Sequence, residues 1–523
     1  MTRPFQKIMR CTTVLLIFMV SVVSVEAQVL RRGIGPEPDS LHIHQAQGLS
    51  AIHLLRETRE GLLTFDAQGE PVAGVAQSWK VSDDGLTWTF ILREDARWSN
   101  GDAVTAAHFV AGWRRAVDPQ SQARTANLLS PVEGAQQVMS GEQDPESLGI
   151  SALDPQTVQV RLQRATPWFE EILAHPVTYP MHELGSEDAR QAPVNGAFFI
   201  SDTTPHAQIS LRPNPYFHSR DSLALDAVEL YPIEDPSAEL SRYRAGELHI
   251  TETIPPGRFE WLADHHGDAL RVSPYLGSFW LGINLSRAPF RDNPDLRRAL
   301  SLAIDRDVLV RVITGAGELP AWGIVPPGLG GSHWTFDFMG NADQRAIEAR
   351  RLFKNAGFSR NNAPRIELRY NSSGQHRRMA VAVAAMWKQV LGVATTLINE
   401  EWKVFVNNRR QRVLTEVFRG GWIADYADPA SFLDLFRSDE PLNWSAYANP
   451  DFDELMEQST KLAGVERDIA LMKAERLLMS DMPVIPLYYY VSRHLVAPGV
   501  KGFVDNVRDI HLSRYLDIET EAQ

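Results

Sequence analysis

Histidine, serine, cysteine and acidic side chains most often carry chemistry, and here their spacing matches no catalytic or metal-binding motif that we recognise. His182-Glu183 lacks the second histidine four residues later that a zinc-protease helix requires. His42 and His44 are two residues apart and His265-His266 are adjacent, but neither pair has cysteines or a tight carboxylate cluster nearby. We also find no nucleophile elbow and no phosphate-binding loop. The residues alone leave open a binding protein or an enzyme of unidentified type, with no metal or cofactor expected.

The N-terminal segment has the features of a secretory signal. A basic start is followed by an apolar run over residues 14–25, and small residues lead to Ala27. The run is short for a bilayer span, which needs about 20 apolar residues. We expect cleavage after Ala27, so that residues 1–27 are a signal peptide. The only cysteine, Cys11, lies inside this segment, and the expected mature chain, starting at Gln28, would have no thiol, no lipid anchor and a periplasmic location.

Length and charge narrow the function classes further. With 523 residues, the chain is too long for one hydrophobic core, so two or three lobes are expected. Its formal charge of −13 disfavours nucleic acid as a partner, because phosphate binding needs a basic face. We expect a monomer whose acidity serves solubility.

Periodicity predicts an α/β protein, with the clearest helix–strand alternation in the second half of the chain. The segment from Trp88 to Arg93 alternates aromatic and polar residues as a half-buried strand does, and Thr105 is a suitable N-cap for the helix that follows. The predicted strands are 88–93, 157–162, 228–233, 394–398 and 486–491. The predicted helices are 50–63, 105–116, 295–313, 342–356, 380–391 and 466–479.

Several long motifs are more specific than the periodicity. One runs from Gly69 through Trp79 to Phe90, and it continues through Trp98-Ser99-Asn100-Gly101-Asp102 to Phe109. Others are the segments 296–306, 370–376, 422–426 and 484–490. Together they resemble the signature of the peptide-binding family of ABC-transporter solute receptors, and the resemblance extends over essentially the whole mature chain.

The resemblance implies a two-lobed periplasmic-binding-protein fold with three domains joined by a hinge. Domain I would be discontinuous, built from residues 28–60, 183–276 and 492–523. Domain II would comprise residues 61–182 and domain III residues 277–491. Such a receptor encloses short extended peptides between its lobes, delivers them to the transmembrane permease of an ABC transporter, and is not an enzyme.

The resemblance also implies how the peptide is held. Asp425 matches the residue that binds the α-ammonium group, and Arg419 and His376 match residues that meet α-carboxylates of peptides of different length. The peptide backbone would pair with Gly421, Trp422 and Ile423, where Gly420 and Gly421 permit close approach of another backbone. The remaining matches are side-chain pocket positions, namely Arg409, Asn371, Trp402, Asn443 and Tyr490.

The chain departs from the family pattern at several places. Close relatives carry a disulfide-bonded cysteine pair where Gly277 and Ile423 stand, and a lysine at the far end of the pocket is replaced by Thr314. Longer peptides would then depend on His376, whose ordinary pKa of about 6.5 would make their binding pH-dependent near neutrality.

Other ligands and another class remain open at this point. A cell-wall peptide, a di- or tripeptide, or an oligosaccharide could fill the same cleft, and a sugar would stack on Trp402 and Trp422 without requiring a charged Asp425. An exported hydrolase is the alternative from a different class, although no nucleophile–base pair is visible at motif level.

Overall fold

The computed structural model describes residues 27–46, 48–184, 192–255, 257–329, 340–424 and 426–519. The expected signal peptide lies outside these residues except for Ala27. In the described part of the chain, no helix combines the length and the apolar character needed to cross a membrane. The structure is mixed α/β, as the periodicity predicts, and it is organised around three larger sheets.

The first sheet brings together distant parts of the chain. Its order is β1-β10-β9-β8, and β1 runs parallel to β10 while the other pairs are antiparallel. The C-terminal region is fixed against the first helix, since the backbone N–H of Ser513 donates to Glu57 Oε1 at 2.9 Å. The strands are β1 (Val29–Gly33), β8 (Phe198–Thr204), β9 (Gln208–Pro213) and β10 (Ala227–Tyr231), with β17 (Val500–Lys501) and β18 (Asp517–Ile518) nearby. The helices are α1 (Leu49–Thr58), α5 (Pro236–Arg244) and α6 (Phe259–His266).

The second sheet is an antiparallel four-stranded sheet of order β4-β5-β7-β6. Trp88, Phe90 and Leu92 of β5 are buried and alternate with more exposed residues, as predicted. Thr105 begins α2 in a capping box with His108, which confirms the expected N-cap. The strands are β4 (Ala76–Val81), β5 (Thr87–Leu92), β6 (Ile150–Asp154) and β7 (Thr157–Arg161), preceded by the hairpin β2 (Leu63–Phe65) and β3 (Pro71–Ala73). The helices are α2 (Ala106–Val117), α3 (Ala135–Met139) and α4 (Phe169–Leu173).

The third sheet has six strands in the order β12-β16-β11-β15-β13-β14. Strands β13, β14 and β15 are parallel to one another, and β11, β12 and β16 are paired antiparallel. The strands are β11 (Leu270–Ile283), β12 (Leu319–Pro320), β13 (Arg365–Asn371), β14 (Ala394–Glu400), β15 (Val417–Ile423) and β16 (Val484–Leu495). The helices are α7 (Pro294–Leu302), α8 (Arg306–Val308), α9 (Ala342–Asn355), α10 (Gly374–Leu391), α11 (Trp402–Gln411), α12 (Ala430–Leu433), α13 (Pro450–Ser459) and α14 (Gly464–Asp481).

One predicted helix is wrong as a single element. The segment 295–313 was expected to be continuous, but α7 ends at Leu302, and α8 and a π-helix over Leu309–Thr314 follow after a break. Asp305 ends the break by accepting a hydrogen bond from Val308 N at 3.3 Å. The fully buried Arg306 side chain holds the break in place, because its guanidinium donates to the carbonyl oxygen of Ser301 at 3.0 Å.

Two long strands connect the first and third sheets. β11 and β16 pair with each other from Leu270↔Leu495 to Gly282↔Val484, and the register is irregular between Pro274 and Ser278. Residue Ile250 joins this ribbon to β1, since it bridges both Arg32 and Val496. We propose that the irregular stretch is the hinge, and that the three sheets are the centres of domains I, II and III with the boundaries given above.

Candidate functional site

Strand β15 lies inside the third sheet, but it is paired on both sides only in its first part. We call its unpaired side, over residues 419–423, the free edge. On one side β15 pairs with β11 along its whole length, from Ile283↔Val417 to Gly277↔Ile423. On the other side its pairing with β13 ends at Arg369↔Phe418. The backbone from Arg419 to Ile423 therefore has no second strand partner among the described residues. An unpaired edge of this kind can accept an extended chain as an additional strand.

The two adjacent glycines on this edge are required for different reasons. A Cβ atom on Gly420 would lie 2.3 Å from Nε1 of Trp280, which is buried below the sheet. A Cβ atom on Gly421 would lie 3.3 Å from the Ser278 carbonyl oxygen and 3.3 Å from the Tyr490 hydroxyl. Gly420 thus makes room for the core, whereas a side chain at Gly421 would crowd the Tyr490 hydroxyl on the opposite face.

Two arginines lie next to the free edge, and within the described residues neither pairs with a carboxylate. Arg409 on α11 is buried, with its guanidinium 3.4 Å from the Trp444 ring centroid, and Arg419 lies 5.2 Å from the Phe279 ring centroid. The Nε atom of each is buried without a hydrogen-bond partner. Burial, and then the neighbouring Arg419, lower the pKa of Arg409 to about 9. Buried cations without an acid partner are costly, so the site favours an anionic ligand group.

His376, in the first turn of α10, lies close to Phe279 and Arg419. Its ring centroid lies 5.6 Å from that of Phe279, and its Nδ1 atom is buried without a hydrogen-bond partner. Burial is the larger cause and Arg419 the second, and together they lower the pKa of His376 to about 4. The expectation of an ordinary pKa is therefore wrong, and His376 is neutral at pH 7.

Tyr490 and Asn371 complete the wall of the site. Tyr490 on β16 packs edge-on against Phe279, with ring centroids 6.5 Å apart, and burial raises the pKa of its hydroxyl. Asn371, the last residue of β13, has a buried Oδ1 atom that accepts no hydrogen bond. Together with Arg409, Arg419 and His376, this side chain gives a group of buried polar atoms whose hydrogen-bonding capacity is unused.

Three of the expected site residues cannot be assigned to the site from the structure. One is used within its own loop, and two lie wholly or partly outside the described residues. The Asn443 amide donates to the carbonyl oxygens of Arg437 and Tyr447 and accepts from Ser445 and Tyr447, so it stabilises its own loop. We therefore leave Asn443 out of the proposed ligand contacts. Asp425 lies outside the described residues, and the same holds for the side chain of Trp402.

The backbone around position 425 is well anchored on both sides. Ile423 is half exposed, the Trp422 indole donates to Ser431 Oγ at 3.3 Å, and Ala424 N donates to the Leu276 carbonyl oxygen at 2.8 Å. After the turn, Asp428 accepts two hydrogen bonds from Arg467, at 2.7 and 2.8 Å. Both side chains of this bidentate pair are almost fully buried, which makes it sensitive to the loss of either partner.

A cavity of about 380 Å³ lies beyond residue 424, and no pattern in the sequence predicts it. Its wall includes residues 423–427, except the undescribed position 425, and side chains from all three proposed domains. Arg56 on α1 lines it with a buried Nε atom that has no hydrogen-bond partner. Glu252 and Asp509 supply carboxylates to the same wall. The cavity is therefore polar and continuous with the end of the free edge.

Comparisons with known proteins match this architecture. The chain is 35% identical over 495 residues to the periplasmic oligopeptide-binding protein OppA of Escherichia coli (strain K12), covering 92% of this chain and 91% of OppA. The unliganded open form of the periplasmic murein tripeptide binding protein MppA superimposes with a TM-score of 0.87, at 32% identity, covering 95% of this chain and 99% of that chain. The Haemophilus influenzae OppA complex with the peptide RPPGFSPFR has a TM-score of 0.75, at 33% identity, with the same 95% and 99% coverage.

The model of one protein family covers most of the three sheets and the free edge. It is described as bacterial extracellular solute-binding proteins, family 5, middle, and it matches residues 70–444. This match and the 35% identity to OppA confirm the resemblance and the multi-domain α/β binding fold. The chain belongs to family 5 of the bacterial extracellular solute-binding proteins.

Proposed function

We propose that this protein is the substrate-binding component of a peptide ABC transporter, and that it encloses short extended peptides and delivers them to the membrane permease. The observation that carries the proposal is the free edge of β15 beside Arg409 and Arg419, which have no carboxylate partner among the described residues. A peptide would satisfy both features at once, with its backbone on the edge and its α-carboxylate at Arg419. The names of OppA and MppA, and the peptide in the H. influenzae complex, support the same ligand class.

The contacts are proposed residue by residue. Gly421, Trp422 and Ile423 bind the peptide backbone, and Asp425 binds its α-ammonium group. Arg419 receives the carboxylate of shorter peptides, and His376 that of longer ones. Arg409, Asn371, Trp402 and Tyr490 line side-chain pockets. These contacts recognise the backbone and the two charged termini, which all peptides share, so they are compatible with varied side chains. A binding protein of this kind needs no catalytic residue.

Calorimetry with tri-alanine, its N-acetyl form and its C-terminal amide tests the proposal. Removing one partner of a buried charge pair costs about 2–5 kcal/mol, so each blocked peptide should bind at least about thirtyfold more weakly. In Arg419→Gln the free acid and the amide should bind alike, and in Asp425→Asn the free and acetylated amines should bind alike. Arg410→Gln is the control for Arg419→Gln, because it removes the same charge from an exposed position on α11.

The three peptides would bind the wild-type protein equally if the ligand were not a peptide. A murein tripeptide and an oligosaccharide belong in the same series as competitors. Stronger binding of the murein tripeptide would place the protein with cell-wall peptide receptors, and binding of the sugar alone would reject a peptide ligand.

We also infer that the protein works in the periplasm after removal of residues 1–27. The relatives named above are described as periplasmic, and the apolar run before Ala27 has the features of a secretory signal. N-terminal sequencing of the protein isolated from a periplasmic extract should begin at Gln28. A start upstream of Gln28 in that extract would contradict the cleavage site.

A further inference from the structure

A compact His–Asp–His cluster lies in domain I, away from the free edge. His494 is on β16 just after the proposed hinge, and Asp509 and His511 are on the loop that follows β17. Oδ1 of Asp509 is 2.7 Å from Nε2 of His494 and 3.1 Å from Nε2 of His511. One ligand atom from each of the three residues lies within 4.8 Å of the other two.

The loop brings Asp509 to this position through a buried asparagine. The Oδ1 atom of Asn506 accepts hydrogen bonds from the backbone N–H groups of Arg508 and Ile510, at 3.1 and 3.3 Å. On the far side, the ring of His511 stacks on Phe503 with centroids 3.9 Å apart. The carboxylate and the two imidazoles are thus held by their surroundings as well as by one another.

Nε2 of His494 points at a carboxylate oxygen of Asp509. Although burial lowers it, the Asp509 carboxylate raises the pKa of His494 to about 9, so in the metal-free protein a proton lies between the two atoms. The Nδ1 atom of His494 lies 2.8 Å from the carbonyl oxygen of Thr251, which can only accept, so Nδ1 carries the hydrogen. The lone pair of a neutral imidazole would then point from Nε2 directly at a carboxylate oxygen. That contact is repulsive unless a proton or a metal ion lies between the two atoms. Metal-binding histidines usually donate their other ring N–H to a backbone carbonyl or a carboxylate in the same way.

The surroundings fit a metal ion that enters from the cavity. The side chains of His494 and His511 are 6% and 4% exposed, whereas Asp509 is 20% exposed and lines the cavity of about 380 Å³. Glu252 places a second carboxylate on the same cavity wall. His511 Nδ1 is buried without a hydrogen-bond partner among the described residues.

We propose that His494, Asp509 and His511 form a binding site for a divalent transition-metal ion, for which Zn²⁺ is the best match. Two imidazole nitrogens and one carboxylate oxygen are ligands that Zn²⁺ accepts, and the fourth position would face the cavity and hold water or a ligand group. Metal–ligand bonds of about 2.0–2.2 Å in a tetrahedron place ligand atoms about 3.4 Å apart. The present contacts of 2.7 and 3.1 Å need only small side-chain rotations to reach that spacing.

The test uses the full mature protein freed of metal with a chelator and then titrated with Zn²⁺ alone. We expect one Zn²⁺ per chain, and we expect Co²⁺ to give the visible absorption bands of a tetrahedral site. In His511→Gln and His494→Gln the affinity should fall at least about tenfold, as losses around metal sites do. His206→Gln is the matched control, because the His206 side chain is 86% exposed.

Two outcomes overturn the proposal. One is the absence of stoichiometric Zn²⁺ binding to the wild-type chain, and the other is unchanged binding in both cluster variants. Where a variant fails to fold, which circular dichroism reveals, the wild-type Co²⁺ spectrum decides by itself. No part of this experiment uses a peptide, so it stands apart from the proposed transport function.

Discussion

At the scale of single residues, the charge of His376 decides how longer peptides are held. Burial and the adjacent Arg419 lower its pKa to about 4, so the free receptor offers a neutral imidazole there. A peptide carboxylate placed beside it would favour the protonated form and raise its pKa in the complex. Affinity then increases as pH falls, but only once the pH is below the pKa of the complex.

We expect tetra-alanine to bind with constant affinity from pH 8 to pH 7 and more tightly as the pH falls from about 6 to 5. The gain cannot exceed about tenfold per pH unit, because one proton is taken up. Calorimetry across this range measures it, with tri-alanine as the internal control because its carboxylate is proposed to reach Arg419. His376→Gln should abolish the gain. The increase ends at the pKa of free His376, so an affinity that stops rising near pH 6.5 would indicate an ordinary pKa for the free histidine and contradict this account.

Residue types near the site could be predicted from the sequence, but their hydrogen bonds could not. Arg409, Arg419 and His376 lie together beside the free edge, as the resemblance implied, whereas the amide of Asn443 is used within its own loop. The His494 cluster could not be predicted from the sequence, because His494 precedes Asp509 by 15 positions and His511 by 17, and the three meet only through the fold. Tertiary contacts determine both the hydrogen bonds of Asn443 and the assembly of the His494 cluster, and no local sequence pattern predicts such contacts.

At the scale of elements, most helices and strands follow the predicted periodicity, and the exceptions have tertiary causes. β14 and α9 lie within two residues of their predicted limits. The helix predicted over 295–313 breaks at 303–305, because the buried Arg306 takes backbone carbonyls that a continuous helix would use internally. The free edge of β15 was not predictable either, since strand periodicity does not reveal where two neighbours diverge.

The two glycines of β15 allow folding and binding to be separated. Gly420→Ala places a methyl group against Trp280 and should destabilise the fold by about 1–3 kcal/mol, as overpacking of cores does. Gly421→Ala meets the Ser278 carbonyl oxygen and the Tyr490 hydroxyl at 3.3 Å, so it should cost less stability than Gly420→Ala and should weaken tri-alanine binding. Denaturant unfolding and calorimetry measure the two effects. The reverse pattern, with Gly421→Ala unstable and Gly420→Ala impaired only in binding, would refute the assignment of their roles.

At the scale of the whole molecule, the structure is more similar to the open form of MppA than to the peptide complex of OppA. Coverage of this chain and sequence identity are nearly equal for the two solved structures, yet the TM-score is 0.87 against the open MppA and 0.75 against the peptide complex of OppA. The proposed three-domain organisation follows from the resemblance and not from composition. The composition of the chain does not locate the hinge about which the proposed lobes would close. We place it in the ribbon of β11 and β16, whose register is irregular between Pro274 and Ser278.

Closure about this ribbon should be visible in solution. A peptide lying between the lobes cannot enter a closed site, so binding must be followed by closure, and closure makes the molecule more compact. Small-angle scattering should therefore show a smaller radius of gyration with saturating tri-alanine, approaching the roughly 23 Å of a compact chain of this length. Asp425→Asn at the same peptide concentration is the control, and it should keep the radius of the free protein. Identical profiles for free and loaded wild-type protein, with saturation verified by calorimetry, would show that the lobes do not close. In that event the peptide would lie on the free edge of β15 in an open cleft.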